Sequence, residues 1–136
     1  MKHLLPIIAL TLTACTGSTH QTHMRVADTI SRAVNETVPA IKTQYAVDLR
    51  TCRTTALTLP DYHLCASQVD ERWSHFRDVW FHMRNVQADY AKALETKEPS
   101  LPDYAEWVEM AYCQLKSVAP ESLKLPAVPG LRCKDE

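Results

Sequence analysis

His75, Asp78 and His82 are the residues of this chain best suited by type and spacing to bind a metal ion or move a proton. Imidazole nitrogens and carboxylate oxygens are the ligands that zinc and copper take. Together with Glu71 and Asn85 they fall within about 80° of arc on a helix, forming one polar strip. His75 and His82 stand two turns apart, about 10 Å, so a single ion cannot reach both. Either one with Asp78 makes half a site, which another helix or another chain would have to complete. The simpler reading of the same strip is a solvated helix face laced by pairs at three- and four-residue spacing.

Other constellations are sparser. Trp73, Phe76 and Trp80 could line a ligand groove, although a stripe at this spacing more simply belongs to a core. Cys52, Cys65, Cys113 and Cys133 include no C-x-x-C pair, which disfavours redox catalysis and a zinc ribbon. The only glycines are Gly17 and Gly130, so a glycine-rich phosphate loop and a dinucleotide fingerprint are excluded. A nucleophile elbow and an H-E-x-x-H pair are also absent. The expectation is a protein that is not an enzyme and carries no cofactor.

These residues sit on long helical patterns. The run from Asp61 to Glu98 has neither glycine nor proline and carries Val69, Trp73, Phe76, Trp80, Met83, Tyr90 and Leu94 on one stripe, which must be buried against other helices. Before it, His23–Ala56 repeats Val26, Ile30, Val34, Val38, Ile41, Tyr45 and Leu49 at helical intervals, with a kink or break expected near Pro39. After it, Leu101–Val118 places Tyr104, Trp107, Val108, Ala111, Leu115 and Val118 on one side. Thr58-Leu59-Pro60-Asp61-Tyr62 recurs as Ser100-Leu101-Pro102-Asp103-Tyr104. The repeat predicts two helix starts, each capped by its hydroxyl with proline in the first turn. The tail, with Pro120, Pro126, Pro129 and Gly130, should be irregular and lie across the bundle.

In an oxidising compartment four cysteines imply two disulfides in one of three pairings. In an antiparallel hairpin turning between Thr58 and Leu59, residues equally far from the turn face each other, and Cys52 and Cys65 are such a pair. At 1.5 Å per residue Cys113 climbs only about 18 Å along the third helix, whereas Cys65 lies nearly 50 Å from that end. The Cα limit of about 7 Å then leaves Cys113 to Cys133. The fold class is all-α: a small three-helix bundle with two disulfides and an irregular proline-rich tail.

The N-terminus combines Lys2, an apolar run from Leu4 to Ala14, and Cys15. The run is too short to span a hydrocarbon core of about 30 Å and reads as a leader. Leu12-Thr13-Ala14-Cys15 resembles the lipobox of bacterial lipoproteins. That resemblance implies cleavage before Cys15 and acylation of Cys15 as the membrane anchor. It further implies outer-membrane attachment facing the periplasm in a Gram-negative cell or its phage, because Thr16 replaces the aspartate associated with inner-membrane retention. The organisation expected is a signal peptide at 1–14, the lipidated cysteine and a polar tether at 15–23, and one helical domain at 24–136. His20 and His23 are then solvent-exposed linker residues.

Removing the leader leaves about 122 residues, enough for one modest core. A formal net charge of −1 offers no basis for nucleic-acid binding. The partners expected are a membrane, through the N-terminal lipid, and another envelope protein. The leading function is therefore a lipid-anchored helical interaction or structural module of the envelope. The alternatives are a periplasmic metal- or ligand-binding module, and a phage-encoded lipoprotein for lysis or superinfection exclusion.

Overall fold

The computed structural model describes residues 14–134, with side chains from Thr19 onward. Of the leader only Ala14 falls within that range, and the side chain of Cys15 lies outside it. Three helices follow in order: α1 Ala14–Thr55, α2 Leu59–Thr96 and α3 Leu101–Val118. The described residues form no strand. No helix among them is long and apolar enough to cross a membrane.

For α1 the structure changes one sequence expectation and decides half of another. Residues 16–23, read as a polar tether, are helical, so at 1.5 Å per residue α1 measures about 60 Å along its axis. Its first turns are held partly by His23, whose Nδ1 lies 2.8 Å from Oε1 of Glu109 on α3. His23 is therefore a helix-pairing residue rather than a linker residue. The helix also runs through Pro39 without a break. Proline there removes one backbone hydrogen bond, a cost of about 3 kcal/mol, but the adjoining turns are anchored by buried Val34 and Thr37. The Thr37 hydroxyl donates to the Ala33 carbonyl.

α1 and α2 form an antiparallel hairpin whose register is readable from its cross-links. Tyr90 reaches Met24 and Asp28 near one end, Arg84 donates to Asn35, Trp73 to Asp48 and Tyr45 to Asp70 farther along. Cys52 and Cys65 join near the turn, with Cα atoms 5.6 Å apart. Thr58 caps α2 in a full capping box: the Asp61 amide donates to its Oγ1, and the Asp61 carboxylate accepts from its backbone N–H. Ser100 does not repeat this at α3. Its backbone angles (φ −83°, ψ 9°) are not those of an extended cap, its side chain makes no capping bond, and the Asp103 amide donates to the Ser100 carbonyl instead. The connection is too tight for the extended geometry. Lys97 already stands in the left-handed region (φ 53°), the Glu98 amide donates to the Ala93 carbonyl, and the Leu101 amide to the Glu98 carbonyl.

With 18 residues against 38, α3 ends about halfway along α2, so the molecule has three helices at its base and two beyond. The core follows this division. In the base Ile30, Val34, Met83, Val108, Tyr112 and Leu115 are fully buried. Beyond α3, Ile41, Tyr45 and Leu49 of α1 are only half-buried against Trp73 and its neighbours. The α2 stripe is correspondingly rotated toward α3: Val79 and Ala93 are buried, Trp80 is half-buried and Leu94 is exposed.

From Ala119 to Lys134 the chain has neither helix nor strand. It turns at Pro120–Leu123 and buries Leu123 and Val128. The Tyr112 hydroxyl donates to the Pro126 carbonyl at 2.6 Å, and Cys133 is bonded to Cys113 with Cα atoms 5.4 Å apart. Gly130 has φ +86°, a conformation side chains disfavour, and passes close enough to α1 that a Cβ would sit 3.4 Å from Val26 Cγ2.

Candidate functional site: the polar strip of α2 and its flanking clefts

Glu71, His75, Asp78, His82 and Asn85 are all exposed on α2. Their strip borders the side on which α3 and the tail pack, and this separates the two histidines. His75 lines a cleft of about 610 Å³ with Asp48, Arg72 and the tail segment from Val118 to Ser122. His82 lines a second hollow of about 260 Å³ with Val86, Trp107, Met110, Ala111 and Gln114. Among the described residues no three His, Cys, Asp or Glu side chains converge as a metal site. Among the described residues the half site of His75 or His82 with Asp78 is therefore not completed, and the cleft beside His75 holds Arg72 together with the carboxylates of Asp48 and Glu121.

Beside His75 stands a residue that sequence reasoning missed. Asp48 accepts from Gln44 Nε2 at 3.0 Å, from Trp73 Nε1 at 2.9 Å and from Ser122 Oγ at 3.3 Å, so one carboxylate ties α1, α2 and the tail together. The only sequence signal was a buried tryptophan whose indole N–H needs an acceptor. Nothing in the pattern said which acidic residue would supply it.

The aromatic stripe divides between core and surface. Trp73 and Phe76 are buried and meet edge to face, with ring centroids 5.5 Å apart. Trp80 and Phe76 also floor a small apolar notch of about 190 Å³ with Ile41 and Tyr45, flanked by Lys42 and Arg77. On the other side of α2 the structure departs from expectation. Trp107, read as a core residue of the third helix, is 48% exposed, and Met110 is 55% exposed. Trp107 packs edge to face on Tyr104, centroids 5.0 Å apart, which leaves its outer face open to solvent. The α3 core line runs instead through Ala105, Val108, Ala111, Tyr112 and Leu115.

The tyrosines belong to the scaffold. Tyr90 is pushed up to about 12 by burial and by Asp28, to which its hydroxyl donates at 3.3 Å. Burial pushes Tyr112 up to about 12 as well. The Tyr45 phenol is raised by its 2.6 Å hydrogen bond to Asp70 and then by burial. No protein-family model, curated protein or solved structure matches this chain.

Proposed function

We propose that this chain is a lipid-anchored protein of the outer membrane, facing the periplasm, that binds another envelope protein through its helical surface. The lipobox-like Leu12-Thr13-Ala14-Cys15 supports the anchor, with Cys15 as the acylated residue. Because Cys15 lies within α1, such an anchor would join a long helix directly and hold the bundle with little slack. A bend of that helix at Pro39, where the Asn35 carbonyl loses its amide partner, belongs to the same reading.

The observation that carries the binding role is the exposed pair Trp107 and Met110 beside the His82 hollow. Tryptophan and methionine are enriched at the centres of protein interfaces, where a large apolar surface gains most from losing water. Exposed Asp103 and Glu106 lie on the same helix, which suits a partner presenting basic residues around an apolar side chain.

A photo-crosslinking residue placed at Met110 in intact cells should give one discrete adduct, and the same residue at exposed Thr43 on α1 should not. Adducts from both positions, or from neither, would refute the binding surface. Palmitate labelling that persists in Cys15→Ser would refute the anchor independently.

A further inference from the structure

We propose that the tip of the α1–α2 hairpin docks into the interface of a lipid membrane bearing anionic headgroups. Leu57 lies in this turn, Leu59 opens α2 and Leu64 follows in its second turn, and they are 94%, 68% and 64% exposed. Singly exposed leucines are ordinary, but three within eight residues, distributed around the end of a helical hairpin, give that end an apolar surface on more than one side. The tip cannot fold back to hide them. The Cys52–Cys65 bond clamps the two helices just behind the turn, and the Thr58–Asp61 capping box fixes the entry into α2.

Several hydroxyls of the tip are already paired within the chain. Hydroxyls of Thr51, Thr54 and Thr55 donate to backbone carbonyls within their own turns. Thr58 donates to the Asp61 carboxylate at 2.6 Å, and that carboxylate also accepts the Thr58 amide. A donor already satisfied internally costs little to move out of water. Charge points the same way: Arg53 and Arg50 are exposed about one and two turns behind Leu57, Arg53 level with Leu64 across the hairpin, where they would meet headgroups as the turn enters the interface, and Asp61 is held in its cap. None of the clefts described above includes the leucines. A protein partner would need a matching cavity for this convex end, which a bilayer does not require. The tip lies about 60 Å along α1 from Cys15, so this contact is separate from the proposed lipid anchor and goes beyond it.

The test uses the full oxidised chain carrying Cys15→Ser, so that no acyl chain contributes, in flotation with phosphatidylglycerol and phosphatidylcholine vesicles. The apolar run Leu4–Ala14 is common to every variant, so only differences between variants count. Leu57→Ser/Leu59→Ser/Leu64→Ser should reduce partitioning onto phosphatidylglycerol vesicles at least about tenfold. Arg50→Gln/Arg53→Gln should remove the preference for the anionic lipid. If the triple variant does not fold, Leu57→Ser alone, between the two helices, should still lower partitioning measurably. Unchanged partitioning of the leucine variants overturns the proposal. So does sedimentation showing that the parent chain self-associates through these leucines.

Discussion

Replacing Asp48 with alanine should destabilise the protein by about 2–4 kcal/mol. Trp73 is 5% exposed, so its indole N–H, which now meets the carboxylate at 2.9 Å, would lose its acceptor where water cannot easily replace it. Leaving such a donor unpaired costs about 1–3 kcal/mol. The bond from Gln44 at 3.0 Å adds about 1 kcal/mol, and the longer contact from exposed Ser122 adds less. Asp48→Asn separates this account from a general loss of charge. Its amide oxygen can keep Trp73, and its NH₂ can face Gln44 after that amide turns over, so the cost should be about 1 kcal/mol or less. Urea unfolding of oxidised protein, followed by circular dichroism and by tryptophan fluorescence, measures both. For a domain of this size the alanine variant should melt roughly 10 °C lower. An alanine variant within about 0.5 kcal/mol of the parent, or an asparagine variant as costly as alanine, would refute the role given to Asp48.

Two further outcomes follow from the tail and the buried phenols. Cys113→Ala/Cys133→Ala should lower stability by about 3 kcal/mol in the chain-entropy account and admit protease between Leu123 and Lys134, whereas retained protection would mean that Tyr112, Leu123 and Val128 hold the tail unaided. Tyr90 and Tyr112 are both raised from 10 to about 12, so their contribution is fully present below about pH 10 and is lost as pH rises toward 12, because the unfolded chain ionises first. The urea midpoint should therefore fall across that interval, and Tyr112→Phe should flatten the fall.

Much of the scaffold was legible in the sequence because it depends on local periodicity and chain geometry. A glycine-poor chain with apolar residues every three or four positions has to form long helices, and a hairpin turning at Thr58–Leu59 has to bring Cys52 to Cys65. Climbing 1.5 Å per residue, the third helix cannot carry Cys113 to the hairpin turn, and this left Cys133 as its partner. The cap at Thr58 was legible for the same reason, since it involves only residues three apart.

Tertiary structure decided what those helices do with their faces. Periodicity assigns Trp107 and Val108 to one side, but a helix packed on α2 and covered by the tail buries only one of them, and Trp107 was left in solvent. The choice of Asp48 as the acceptor for Trp73 required residues 25 apart to meet across the hairpin, which no local pattern encodes. The shortness of α3 relative to α2 left the far half of the hairpin with two helices and an uncovered end. The strip from Glu71 to Asn85 shows the same division. Its residues share an arc because helix geometry requires it, but His75 and His82 open onto different clefts because α3 stops and the tail turns between them.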